Sequence, residues 1–202
     1  HVLVLSFHKL VPPALRALLA DPAAREDAFL LPGHVSAIIG VDPYAFLATE
    51  YRVPSVITGF EPLDILQALL HIVHMRRDNA PAVINQYSRV VAEHGNPKAL
   101  AVMAEVFTPV DALWRGLGVL PQSGLAIAEA YAAFDAFKVL GVTLKDHPPL
   151  PGCRCGEVLK GKMPPNECPL FAKACTPATP VGPCMVSTEG GCAAYYKYRV
   201  EA

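Results

Sequence analysis

The chain has 202 residues, enough for one good core and a small satellite domain. It is 52% hydrophobic and 17% charged with a positive mean hydropathy, the composition of a well-buried α/β body and not of a disordered chain. Seventeen basic and eighteen acidic residues are spread along it, so there is no basic patch to bind nucleic acid and no polybasic arm to bind a membrane surface.

The sequence begins at His1 and runs directly into Val2–Ser6, a short apolar run that reads as a strand. A start without Met reads as the inside of a longer protein. Pro12-Pro13 then opens a helical pattern through Leu19. Asp27–Leu31 is the second apolar run; it ends at Pro32-Gly33 and leads into His34–Ile39 and Asp42–Glu50, with Asp42 placed to cap a helix. Val53–Thr58 is the third run, β-branched, and it ends at Gly59 before an amphipathic helix from Pro62 to about Arg77. Asp64, Gln67, His71 and His74 interrupt that helix, so it reads as buried and not as a membrane span. Three strand–helix units in a row predict a parallel sheet with covering helices.

Further on, Asn85–Val91 reads as another strand. Asn96-Pro97 caps a helix through Val106, and Trp114–Val119 is a glycine-punctuated turn and strand. Ala126–Phe137 fits strand and helix equally. Pro148-Pro149 and Pro151-Gly152 mark a boundary. The expected organisation is a strand–helix cleft unit at 1–80, a second α/β segment at 81–147 and a cysteine-rich module at 148–202.

In open parallel sheets, ligands bind outside the carboxyl ends of the strands. Those ends carry Ser6-Phe7-His8-Lys9, Pro32-Gly33-His34-Val35-Ser36 and Gly59-Phe60-Glu61-Pro62-Leu63-Asp64. His34, Glu61 and Asp64 are therefore candidates to move protons or hold a reacting group. Each also has a plain structural reading: a turn histidine, and carboxylates offsetting the dipole of a helix start.

All six cysteines, at positions 153, 155, 168, 175, 184 and 192, fall in the last fifty residues. A short Pro- and Gly-rich stretch has too few apolar residues for its own core and needs a staple. Zinc sites usually show two Cys-x2–4-Cys pairs, and none is present. Three disulfides would suit a secreted domain, whereas the thiol-free body before them reads as intracellular and cytoplasmic. An iron–sulfur cluster needs four thiolates and tolerates irregular spacing, and Cys168-Pro169 echoes the Cys-Pro beside cluster ligands. Iron–sulfur therefore ranks first; disulfides and zinc stay open.

Six segments, in order, carry a resemblance. Pro32–Ser36, Gly59–Asp64, Trp114-Arg115-Gly116-Leu117-Gly118, Cys155-Gly156-Glu157-Val158-Leu159, Cys168-Pro169-Leu170-Phe171 and Met185–Ala194 are similar to motifs of the HypD family of hydrogenase maturation factors. The resemblance runs from about Val2 to Arg199. It implies a scaffold that helps build the Fe(CN)2CO group of [NiFe]-hydrogenases with the chaperone HypC and the cyanide donor HypE, and that carries a [4Fe-4S] cluster. By motif, the implied ligands are Cys155, Cys168, Cys175 and Cys192, with Cys153 and Cys184 left as free thiols. The implied central cleft includes His34 and Glu61. The family's N-terminal motifs, Cys-Gly-Gly-His-Thr-His, Gly-Pro-Gly-Cys-Pro-Val-Cys and Gly-Phe-Glu-Thr-Thr, do not occur in this chain. A fragment that binds a cluster without assembling Fe(CN)2CO is therefore expected. Two other readings stay open: an iron–sulfur enzyme that reduces a partner's disulfide, and a zinc or disulfide module on a small-molecule-binding domain.

Overall fold

The computed structural model describes residues 2–143 and 151–199. Its centre is a parallel sheet of three strands in the order β1 (Phe29–Pro32), β2 (Ser55–Thr58) and β3 (Val83–Asn85). Helices α1 (Val11–Leu19), α2 (Gly33–Ile39), α3 (Phe46–Thr49) and α4 (Pro62–Arg77) precede, link and cover these strands. The α/β class with a parallel sheet and helices is as expected.

β2 is the middle strand and is buried along its whole length. Successive side chains on a strand point to opposite faces. Val56 accordingly packs with Ala68 and Met75 of α4, while Ile57 joins Leu31, Val41, Tyr44, Phe46, Leu47 and Val91 on the other face. α4 starts at Pro62, whose fixed φ and missing N–H suit a first helical position, and it ends where Asn79 takes a left-handed φ of 49°. Only Asp64, Ala68 and Met75 of this helix are buried. Leu63, Leu66, Leu70 and Val73 face outward, so the apolar pattern that marks the helix does not mark its buried side.

The first strand–helix unit is a correction. Val2–Ser6 does not join the sheet; Val4 bridges Asp135, and Lys9 bridges Gly124. This segment lies along an antiparallel hairpin of β4 (Phe107–Trp114) and β5 (Gly118–Ile127). An apolar run fixes a preference for extended structure but not its partner. The third sheet strand is instead Val83–Asn85, and the residues after it form a turn, not the strand read at Asn85–Val91. Asp42 does not cap a helix; it opens a 3-10 turn and faces His94, 2.6 Å away.

α5 (Pro97–Val106) begins as expected, with Asn96 accepting from the Lys98 and Ala99 N–H groups at 3.1 Å. Trp114–Val119 is the hairpin turn. Ala126–Phe137 divides between the end of β5, a 3-10 stretch at Glu129–Phe134 and the start of α6 (Ala136–Val139). The boundary expected around Pro148-Pro149 lies outside the described residues. Beyond it come three short helices, α7 (Cys155–Leu159), α8 (Pro183–Val186) and α9 (Gly191–Tyr198).

Candidate functional site

Because β1, β2 and β3 run parallel, their carboxyl ends share one rim. His34 is the second residue of α2, directly after β1, and Phe60 precedes α4, just after β2. Their rings lie 4.6 Å apart. Glu61, next to Phe60, is exposed and stands at the cap position of α4. The rim thus brings together His34 and Glu61 from separate motifs. His8 and Lys9 are not part of it: the His8 ring packs on Phe107, beside the hairpin.

Asp64 points inward and is only 5% exposed. It accepts two bonds from the Arg89 guanidinium, at 2.9 and 2.6 Å, and one from Gln86 at 3.0 Å. Arg89, and then Gln86, hold its carboxyl at about 2, against the opposing effect of burial. At neutral pH Asp64 is a permanent, fully engaged anion.

Tyr87 closes the arrangement. A Cβ on Gly33 would lie 2.4 Å from the Thr58 carbonyl oxygen and 2.7 Å from the Tyr87 ring. One on Gly59 would lie 2.0 Å from Asp64 Oδ2 and 2.9 Å from the same ring. Both motif glycines are therefore places where only a residue without a side chain lets Tyr87 and Asp64 come in. The Arg89 guanidinium sits over the other side of the site, 4.4 Å from the Tyr87 ring centroid. Gln86, Tyr87 and Arg89 were missed by sequence reasoning, which took this stretch for a strand. They follow the carboxyl end of β3, so the rule that picked out His34 and Glu61 applies to them once that strand is placed.

The second candidate site is the cysteine module. All six cysteines line one pocket, with Leu170, Phe171, Gly182 and Met185. Cys155 begins α7, Cys168 follows a 3-10 turn at Pro165–Glu167, Cys184 lies in α8, and Cys192 lies in the first turn of α9. The Cys155 and Cys184 sulfurs are in disulfide contact, with their Cα atoms 6.4 Å apart, and Cys184 Sγ is 3.3 Å from Cys192 Sγ. A Cβ on Gly182 would lie 2.7 Å from Cys153 Sγ, so the glycine keeps this wall of the pocket for sulfur. Among the described residues, no three His, Cys, Asp or Glu side chains meet around a single metal ion; the sulfurs ring a space instead.

Burial, followed by the neighbouring thiols of Cys168, Cys175 and Cys153, pushes the Cys192 thiol up to about 11. Thiolates crowded in an apolar pocket repel one another, and a cationic inorganic core removes that cost. The residues present therefore fit a thiolate-held group that needs four donors: Cys153, Cys168, Cys175 and Cys192 are free thiols, reduction of the Cys155–Cys184 contact would add two more, and no charged side chain stands on the lining. Cys153 is a free thiol as expected and lies on the same pocket, but Cys184 is not: the packing that brings the Cys155 and Cys184 Cα atoms to 6.4 Å puts its sulfur in disulfide contact with Cys155, one of the expected ligands.

The family model described as HypD, "Hydrogenase formation hypA family", matches residues 1–199. The chain belongs to the HypD family. It is 46% identical over 196 residues to "Hydrogenase maturation factor HypD" of Rhodobacter capsulatus, and 46% identical over 196 residues to the protein of that name from Escherichia coli K12. Each alignment covers 95% of this chain and 52% of the relative. "Hydrogenase expression/formation protein HupD" of Azotobacter chroococcum is 44% identical over 197 residues, again 95% and 52% of the two chains. The chain thus spans about half the length of these curated relatives. Two pairs of the HypD-like motifs meet in space. Pro32–Ser36 and Gly59–Asp64 meet at Tyr87, and the Trp114–Gly118 turn meets the Cys155–Leu159 helix, where a Cβ on Gly156 would lie 2.5 Å from the Gly116 carbonyl oxygen. Among the described residues, no helix is long and apolar enough to cross a membrane.

Proposed function

We propose that this chain is the cluster-bearing part of a hydrogenase maturation scaffold. In the intact protein it would help assemble the Fe(CN)2CO group of [NiFe]-hydrogenases, with a HypC-like chaperone and a HypE-like cyanide donor docking around the cleft. The observation that carries this reading is the gathering of every cysteine of the chain on one pocket. A [4Fe-4S] cluster held there would supply electrons. Cys155, Cys168, Cys175 and Cys192 would be its thiolate ligands, while Leu170, Phe171 and Met185 keep water from the sulfurs. At the rim, His34 and Glu61 orient the cyanide-carrying intermediate and move its proton, with Asp64 as the fixed anion beneath them. Such thiol chemistry needs a reducing compartment, which is the cytoplasm.

Iron, zinc and acid-labile sulfide on the anaerobically purified chain test the first half of the reading. The expected result is about four iron and four sulfide per chain with broad visible absorbance. Cys168→Ala or Cys175→Ala should remove that absorbance, and an unchanged spectrum would sink the ligand set. His34→Ala in the corresponding full-length protein should block hydrogenase maturation with the cluster intact; normal maturation would reduce His34 to a turn residue. The contact between Cys155 and Cys184 favours a second reading, thiol–disulfide exchange with a partner protein. Iron-free chains whose Cys155–Cys184 pair is first reduced to the dithiol, and which then reduce a partner's disulfide one for one while re-forming the Cys155–Cys184 bond, would support it.

A further inference from the structure

We propose that Arg89 is the positioning residue of the rim: one guanidinium braces both the His34 and the Glu61 motifs, through Asp64 on one side and Tyr87 on the other. The proposal rests on the reading of this rim as the reaction site.

An ion pair on a protein surface usually contributes little, because water competes for both charges. This one differs on three counts. Its carboxylate is buried while its guanidinium is half exposed, with side-chain exposures of 6% and 51%. Both carboxylate oxygens are engaged by the two terminal nitrogens of the guanidinium, at 2.9 and 2.6 Å, a fork that fixes direction as well as distance. The same guanidinium lies over the Tyr87 ring, 4.4 Å from its centroid.

Each contact leads to one of the two rim residues. Asp64 lies in the first turn of α4, where the Ile65 N–H donates to the Glu61 carbonyl at 3.1 Å, so the carboxylate held by Arg89 fixes that turn and with it the Glu61 backbone. Tyr87 touches the space beside Gly33 and Gly59, the glycines that precede His34 and Phe60, and the His34 and Phe60 rings are in contact. Gln86 supplies a second strut, donating to Asp64 at 3.0 Å and to Gln67 at 2.8 Å. Arg89 itself comes from the turn after β3, so one side chain ties together the ends of all three sheet strands.

A lysine would keep the charge but not the fork or the flat face over Tyr87. Arg89→Lys therefore separates positioning from charge, and Arg89→Ala removes both. The first readout is the set of His34 ring-proton resonances in the purified chain, which report the position of that ring against Phe60. The second is maturation by the corresponding full-length protein. Far-UV circular dichroism and iron content serve as controls that a positioning change leaves alone. Arg89→Lys should move the His34 resonances and lower maturation on the order of 10–100-fold, the scale of a misplacement of about 1 Å. Gln86→Leu should have a weaker effect in the same direction. Should Arg89→Ala fail to fold, the Lys and Gln86→Leu variants still decide. Unmoved His34 resonances in Arg89→Lys would overturn the proposal. Moved resonances with normal maturation would uphold the bracing and overturn the rim as the reaction site.

Discussion

Around β2 the core is mainly hydrocarbon: Leu31, Tyr44, Leu47, Val56 and Ile57 are each 1% exposed or less, beside the buried hydroxyls of Ser36 and Ser55. In the cysteine module the equivalent places are taken by Cys155, Cys175, Cys184 and Cys192, joined by Phe171, Met185 and Ala193. A buried Leu, Ile or Val contributes about 1.5–3 kcal/mol by leaving water, so the sheet region holds itself together. A thiol is a smaller apolar group with a reactive atom. What the sulfurs are bonded to must supply much of the module's stability. One region has a structure that can carry a site; in the other, the site is the structure.

The sharpest way to break that comparison is to strip the module of its proposed metal. Chelation under reducing conditions should release amide protection in residues 155–198 while residues 55–75 keep theirs. Metal–thiolate bonding contributes on the order of 10 kcal/mol in small zinc-held domains, so the loss should be complete and not graded. Hydrogen exchange before and after chelation measures it. Equal protection in the module with and without metal would show that its few apolar side chains suffice.

The converse change acts on the sheet. Ile57→Ala removes a side chain with no solvent exposure from the face shared with Leu31 and Tyr44. It should cost about 2–5 kcal/mol, the usual range for such a cavity, and should leave the visible spectrum of the module unchanged. Denaturant unfolding followed at both regions checks this. A spectrum that fades at the same denaturant concentration as the sheet melts would mean that the two regions unfold as one.

How much of this was legible differs between the regions for the same reason. β1, β2 and α4 were readable because their signals are local: a β-branched run, a glycine stop, and a proline at a helix start. The rim followed for His34 and Glu61. β3 was misplaced because it is three residues long, between Pro81 and a turn, and carries almost no pattern. With β3 misplaced, Arg89 and Tyr87 had no rim to belong to. Asp64 read as a candidate to move protons because its Arg89 partner lies twenty-five residues away, beyond any local rule. In the module, the number of sulfurs and their crowding were visible in the sequence, but they reach one pocket only in the fold, Cys155, Cys184 and Cys192 from α7, α8 and α9 and Cys153, Cys168 and Cys175 from the segments between and before them.

The joint between the regions can be loosened without touching either core. Gly156, in α7, lies against the turn of the β4–β5 hairpin, and a Cβ there would be 2.5 Å from the Gly116 carbonyl oxygen. The obstacle is backbone, so it cannot rotate aside. Gly156→Ala should cost about 1–3 kcal/mol, the usual penalty for overpacking. The cost should appear as faster hydrogen exchange in residues 155–159 with no change in residues 55–58. An equal rise in both would mean that the contact supports the whole chain.

A smaller effect is expected at the other link, where Lys160 donates to Asp21 at 2.8 Å and Lys162 stands 3.5 Å from the same carboxylate. Lys160, followed by the Ala23 N–H, holds the Asp21 carboxyl at about 2, below the ordinary 3.8. A depressed carboxyl stabilises the state in which it is paired at pH values above its ordinary range, and that contribution fades as pH falls towards the depressed value. The joint should therefore be fully tied at neutral pH and loosen between pH about 4 and about 2, before the hydrocarbon core around β2 responds. Lys160→Met should shrink that acid step, and Lys160→Met with Lys162→Met should abolish it, with the neutral-pH behaviour nearly unchanged because water screens such a pair. Protection of residues 155–162 followed from pH 5 to pH 2 measures both, and an acid step that survives the double substitution would assign the loosening to another carboxylate.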